Sequence, residues 1–273
     1  MTQELVWLLA NDLDFKSASN ISMVKRVPYL EMAVTINPEG KQRIMENNHS
    51  EEFLKVLNWT IQPPSELMAC LGSPRTVKTH LPLSILPPSL LKEGRVVYVA
   101  RDPRDVAISH YHLMKDSMMV EYGGDFKTYW NFFIKDANVF TPYFEHLKEA
   151  WEKRNHPRLL FLFYEELSKD LPSTIRRVAT FLDKKLSADQ LNQLCDHLSF
   201  QNFKNNKSVN DDFTNKLYGL IRDNAESTFI RKGKAGGWRD YFDEEMTLQA
   251  DKWMSEHLKE TDIFFPDTKK HIL

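Results

Sequence analysis

The chain has 273 residues, with 36 basic and 38 acidic side chains and a formal net charge of −2. Hydrophobic residues make up 42 %, aromatics 12 % and charged residues 27 %, which suits one large core under an ordinary solvated surface. Disordered, collagen-like and coiled-coil classes are excluded, and the near-neutral balance argues against a nucleic-acid binder, which needs a broad basic face to displace counterions.

Two cysteines, Cys70 and Cys195, are too few for a disulfide framework or a cysteine-rich zinc site and suit a reducing compartment. The apolar stretch from Leu5 to Ala10 is short and follows Glu4 instead of a basic segment, so no signal peptide is predicted. No run approaches the length that spans a bilayer. A cytoplasmic protein is expected, and the sequons at Asn20, Asn48, Asn58 and Asn206 then carry no meaning. With no repeat, low-complexity tract or long linker, residues 1–273 are expected to form one domain.

In chain order, residues 2–11 have helical apolar spacing at Leu5, Leu8 and Leu9. A second helix is predicted from Ser50, with Glu51 and Glu52 in its first turn and Phe53, Leu54 and Leu57 facing inward. The pair Pro63-Pro64 ends it. Residues 75–80, 95–100 and 158–163 form three β-rich or compact apolar runs, read as parallel strands buried on both faces. Helices are predicted at 103–116, 125–136, 143–154, 171–183, 187–197 and 243–260. The alternation predicts the α/β class, a central parallel sheet flanked by helices on both faces.

Each run ends in a polar residue: His80, Arg101 and Tyr164. Parallel sheets bind ligands in the crevice outside those strand ends, so the set predicts a site at one rim of the sheet. Lys78 and His80 share a strand face, and a cation there keeps the imidazole neutral and basic, as a general base on a hydroxyl requires. Asp102, Pro103 and Asp105 make a helix start, which sets Arg101 beside anion-attracting amides, with Ser109 about two turns on. The i, i+2 pair His110 and His112 does not converge, so no metal is expected. Residues 229–238 concentrate three glycines among Arg231, Lys232 and Lys234, between Phe229 and Trp238, and read as a phosphate clamp.

The ordered blocks Lys78-Thr-His80-Leu-Pro, Tyr98-Val-Ala-Arg-Asp-Pro-Arg-Asp-Val-Ala-Ile-Ser109, Tyr164-Glu-Glu and Arg231-Lys-Gly-x-x-Gly236-x-Trp238 resemble the cytosolic sulfotransferase family, most of all its insect members. The resemblance covers essentially the whole chain. It implies transfer of a sulfuryl group from 3′-phosphoadenosine-5′-phosphosulfate (PAPS) to a phenol, alcohol or amine, with adenosine 3′,5′-bisphosphate (PAP) as product. It further implies His80 as general base and Lys78 beside the sulfuryl group, with Arg101 and Ser109 on the 3′-phosphate. Tyr164 would reach the nucleotide, Phe200 would pack on adenine with Phe203 close by, and Arg231, Lys232 and Gly233 would close over the phosphate along a wall of Phe229 and Ile230. Leu198 stands where the family usually has threonine.

Family members open with a strand, a Pro-Lys-Ser-Gly-Thr-Thr-Trp-type loop and a helix resembling residues 2–9. This sequence begins at about the tryptophan, so the first strand and the loop that wraps the 5′-phosphosulfate are expected to be missing and the domain N-terminally truncated. The alternative is a non-catalytic member that keeps only the 3′-phosphate half of the site. The usual dimer segment aligns with residues 239–248, where Asp243 and Glu244 replace a Thr-Val pair, so a monomer or a different dimer is expected.

Overall fold

The computed structural model describes residues 1–46, 50–116, 122–210, 230, 233 and 235–266. Its contacts divide into two compact units. The first comprises Met1–His80, Leu113–Tyr122 and Leu182–Gly233, and the second Leu81–His112, Gly123–Phe181 and Lys234–Leu273.

The second unit holds the sheet. Strands β1 (Val96–Ala100) and β2 (Leu159–Phe163) pair in parallel, with register running from Val96↔Leu159 to Ala100↔Phe163. Parallel neighbours need a long crossover. Here it includes the start of helix Pro103–Asp116 and the helices Phe126–Phe133 and Tyr143–Glu152. Asp125 caps the middle one by accepting from the Thr128 amide at 2.8 Å. Trp130 and Phe144 are fully buried in a core shared with Phe161, Phe163, Phe242 and Trp253. Helix Glu244–Leu258 adds Met246, Ala250 and Met254 to that core. Its cap is Asp243, which accepts from the Met246 amide at 2.8 Å, while Glu245 pairs with Lys127 at 2.6 Å. A parallel sheet with helices packed beside it is the α/β architecture the alternation predicts.

Burial differs between the strands. β2 is buried along most of its length, as a run interior on both faces should be. β1 is only half-buried, and Val99 is 38 % exposed. β1 pairs only with β2 among the described residues, so one of its long edges lacks a covering strand there.

The first unit is helical. Helix Thr2–Ala10 buries Leu5, Leu8 and Leu9. Helix Glu51–Thr60 is capped by Ser50 and buries Phe53 and Leu57 against Met32, Ile36 and Ile44. The prolines at 63 and 64 follow its end, but Pro64 also opens a further helix, Pro64–Cys70, at a position where its missing N–H is no loss. Ala188–His197 starts with a capping box of Ser187 and Gln190. The predicted strand at 75–80 is reduced to one parallel bridge, Tyr29↔Lys78. Its partner segment cannot support more: Pro28 has no N–H to donate, and the chain turns helical at Met32. Among the described residues no helix is long and apolar enough to cross a membrane.

A buried ionic cluster ties the first unit together. Glu4, with no exposed surface, meets Arg26 Nη1 at 2.8 Å and His197 Nε2 at 2.9 Å. Arg26 also donates to the Ile21 carbonyl and the Ser208 hydroxyl and lies 4.7 Å over the Trp7 ring. Burial alone would raise the Glu4 carboxyl, but His197 and Arg26 hold it below its ordinary value. Arg26→Met strands that carboxylate and is expected to cost about 3–5 kcal/mol in urea unfolding. The double variant Glu4→Gln/Arg26→Met should lose less than the single one.

Candidate functional site

In the second unit the strand register does the positioning. Ala100 faces Phe163, so the residues that follow, Arg101 and Tyr164, leave the strand ends side by side. The Arg101 guanidinium carbon lies 4.4 Å from the centre of the Tyr164 ring. The Tyr143 hydroxyl donates to the Arg101 carbonyl, which fixes the backbone from behind. Ser109 lies exposed on the helix that follows.

Three buried carboxylates frame Arg101. Asp102 grips Arg104 twice, Oδ1 to Nε at 3.0 Å and Oδ2 to Nη2 at 2.7 Å. Arg104 in turn lies 3.8 Å over the Trp238 ring. Asp105 accepts from the amides of Gly236 at 2.7 Å and Trp238 at 2.8 Å, and stands 3.7 Å from Arg101 Nη2. Burial raises the Asp105 carboxyl, while Arg101 and the two amides work against that rise. Glu165 accepts from the Asp102 amide at 2.8 Å. Burial, with Asp102 adding to it, pushes Glu165 up to about 7. The turn before Trp238 is therefore pinned from the helix Pro103–Asp116 and is no freely solvated loop. Gly236 adopts φ 74°, which explains the glycine there.

In the first unit, Lys78 and His80 meet on one aromatic ring. Lys78 Nζ lies 5.0 Å over Tyr29, and the exposed His80 ring meets the same tyrosine edge-on at 4.9 Å between centroids. Burial lowers the Lys78 ammonium to about 8, against the pull of Glu31. Glu31 accepts from the Thr79 hydroxyl and from the His80 amide.

Phe200 opens helix Phe200–Asn205, capped by Ser199. Its ring lies against Gly233: a Cβ built there would fall 2.2 Å from two ring carbons. Gly233 has φ 59°, so this residue of the expected clamp is both conformationally and sterically a glycine position. Phe203 and Leu198 are buried, and Ile230 is half-buried. Phe229, Arg231 and Lys232 lie outside the described residues. Elsewhere, His110 bonds the Tyr129 hydroxyl at 2.6 Å and His112 the Tyr241 hydroxyl at 3.0 Å. Glu31, Asp105 and Glu165 are the residues that reading by motif did not single out for the site. Single acids near strand or helix ends are too common to signal a backbone anchor.

The sulfotransferase domain family model matches residues 1–262, and the chain belongs to that family. It is 34 % identical over 263 residues to luciferin sulfotransferase from Photinus pyralis, covering 94 % of this chain and 68 % of that protein. It is 35 % identical over 201 residues to sulfotransferase 1B1 from Mus musculus, covering 73 % of this chain and 66 % of that protein. The chain thus spans about two thirds of the length of these two relatives. Among solved structures, retinol dehydratase in complex with retinol and PAP is 46 % identical with a TM-score of 0.88, over 97 % of this chain and 79 % of that one. The same values of identity and TM-score hold for retinol dehydratase in complex with androsterone and inactive cofactor PAP, over 97 % of this chain and 78 % of that one.

The Glu165 shift sets a pH dependence with a definite sign. Its carboxyl titrates near 4.5 when unfolded and near 7 when folded, so the stability it contributes is complete below 4.5 and is lost as pH rises through 7. Glu165→Gln keeps the acceptor oxygen and has no proton to lose. The unfolding free energy of the wild type relative to this variant should fall by about 2 kcal/mol between pH 5 and pH 8. Chemical denaturation at the two pH values measures it.

Proposed function

We propose that this protein is a single-domain sulfotransferase that moves a sulfuryl group from PAPS to a hydroxyl or amine of a small molecule. The observation that carries the reading is Arg101, presented at a parallel strand end on the Tyr164 ring and next to a helix start, in a chain of this family. A guanidinium fork held on a ring at a parallel strand end is a donor that a terminal phosphate requires, so the residues present fit the nucleotide.

When bound, PAPS supplies the activated sulfuryl group. His80, exposed and braced on Tyr29, takes the proton from the acceptor. Lys78 offers positive charge to the sulfuryl oxygens; its lowered value near 8 still leaves it largely protonated at neutral pH. Arg101 and Ser109 bind the 3′-phosphate, with Arg231, Lys232 and Gly233 closing over it. Tyr164, Phe200, Phe203, Phe229 and Ile230 provide aromatic and apolar walls for the nucleotide. The likeness to a protein crystallised with retinol and with androsterone favours an apolar alcohol among the possible acceptors. The comparisons lend no support to the non-catalytic alternative.

The test is product formation. The chain is incubated with PAPS and a panel of retinoid, steroid and phenolic acceptors, and sulfated product is measured by mass spectrometry. His80→Ala should lower turnover by about 10²–10⁴-fold. Arg101→Ala should weaken PAP binding about 10–100-fold by calorimetry, the loss of a charge-assisted contact. No product across the panel, or full turnover in His80→Ala, would overturn the reading.

A further inference from the structure

Glu31 is 4 % exposed. Burying a carboxylate is costly unless its partners answer it. Here one oxygen, Oε1, receives two donors from consecutive residues: the Thr79 hydroxyl and, at 2.6 Å, the backbone amide of His80. The two segments are already joined without it. Lys78 N–H donates to the Pro28 carbonyl and Leu30 N–H to the Lys78 carbonyl, each at 2.9 Å. Those bonds hold residues 28–30 to position 78 and stop there. The carboxylate carries the attachment two residues further, to the amide of the residue whose ring stands against Tyr29.

We propose that Glu31 is a positioning residue for His80: its carboxylate fixes the backbone of residues 79 and 80, so that the imidazole keeps one orientation on the Tyr29 ring toward the acceptor hydroxyl. The inference rests on reading His80 as the base. It adds a residue some fifty positions upstream to the catalytic apparatus without placing that residue in contact with substrate. Catalysis by a positioned base tolerates little slack, since misplacement by about 1 Å costs on the order of 10²-fold in rate.

The experiment compares Glu31→Ala, Glu31→Gln and Glu31→Asp, each alone and in a His80→Ala background. Glu31→Ala should lower kcat about 10²-fold while the acceptor KM stays within about threefold. Glu31→Gln keeps an acceptor oxygen at the same reach and should recover all but about tenfold, the difference between a charged and a neutral hydrogen bond. Glu31→Asp keeps the charge but falls one carbon short, and should resemble Glu31→Ala; it replaces that variant if Glu31→Ala fails to fold. In the His80→Ala background Glu31→Asp, which keeps the charge that pulls on Lys78, should not lower kcat further. An equal loss in both backgrounds, or a KM effect with kcat unchanged, would overturn the proposal.

Amide hydrogen exchange at His80 gives a readout independent of turnover. Exchange should quicken in Glu31→Ala and Glu31→Asp and stay slow in Glu31→Gln; unaltered exchange in all three refutes the anchor. If the wild type makes no sulfated product while exchange still depends on Glu31, the sulfotransferase reading fails and the anchor stands.

Discussion

Two parallel strands in fixed register decide what the second unit can present. Because Ala100 stands opposite Phe163, the chain must deliver Arg101 and Tyr164 at neighbouring points, and the guanidinium finds a ring face without further adjustment. A slip of one residue would separate that pair. The buried length of β2, with Leu159, Leu162 and Phe163 interior, makes such a slip costly. The carboxylates of Asp102, Asp105 and Glu165 then work from this fixed edge. Each is tied to a backbone amide, so these acids shape the loops around Arg101, and Asp105 also faces its guanidinium.

The same device recurs in the first unit. Glu31 uses its carboxylate on the amide of His80, and the buried Glu4 takes Arg26 and His197 as its partners. The chain's near-zero net charge conceals this arrangement. Overall balance reports on long-range attraction, whereas these acids act over a single hydrogen-bond length. Local geometry, and not excess charge, defines what each cluster can hold.

Much of the architecture was legible because it follows periodicity. The helices near 103–116, 143–154, 187–197 and 243–260 match the expected spans closely, each carrying regularly spaced apolar residues or a capping side chain such as Ser187 or Asp243. The run at 75–80 misled because composition sees β-rich residues and not partners. Extended backbone becomes a strand only where a neighbour supplies donors, and Pro28 and the turn into Met32–Thr35 withhold them. Helix Tyr164–Lys169 was hidden for the opposite reason: it starts directly at the end of β2 with no polar punctuation between them. Asp243 read as a loss from a dimer segment, and the structure gives it the ordinary task of starting a helix. Of the candidate site, Arg101 and Tyr164 were readable as strand-end residues, His80 follows a run that forms no strand, and Glu31, Asp105 and Glu165 were hidden because their partners lie 49, 131 and 63 residues away.

The fit between Gly233 and Phe200 has a mechanical side. No methyl group fits between backbone and ring, so any side chain at 233 would have to displace the phenyl ring. The first residue of helix Phe200–Asn205 is therefore sterically matched to a position far along the chain that carries no side chain.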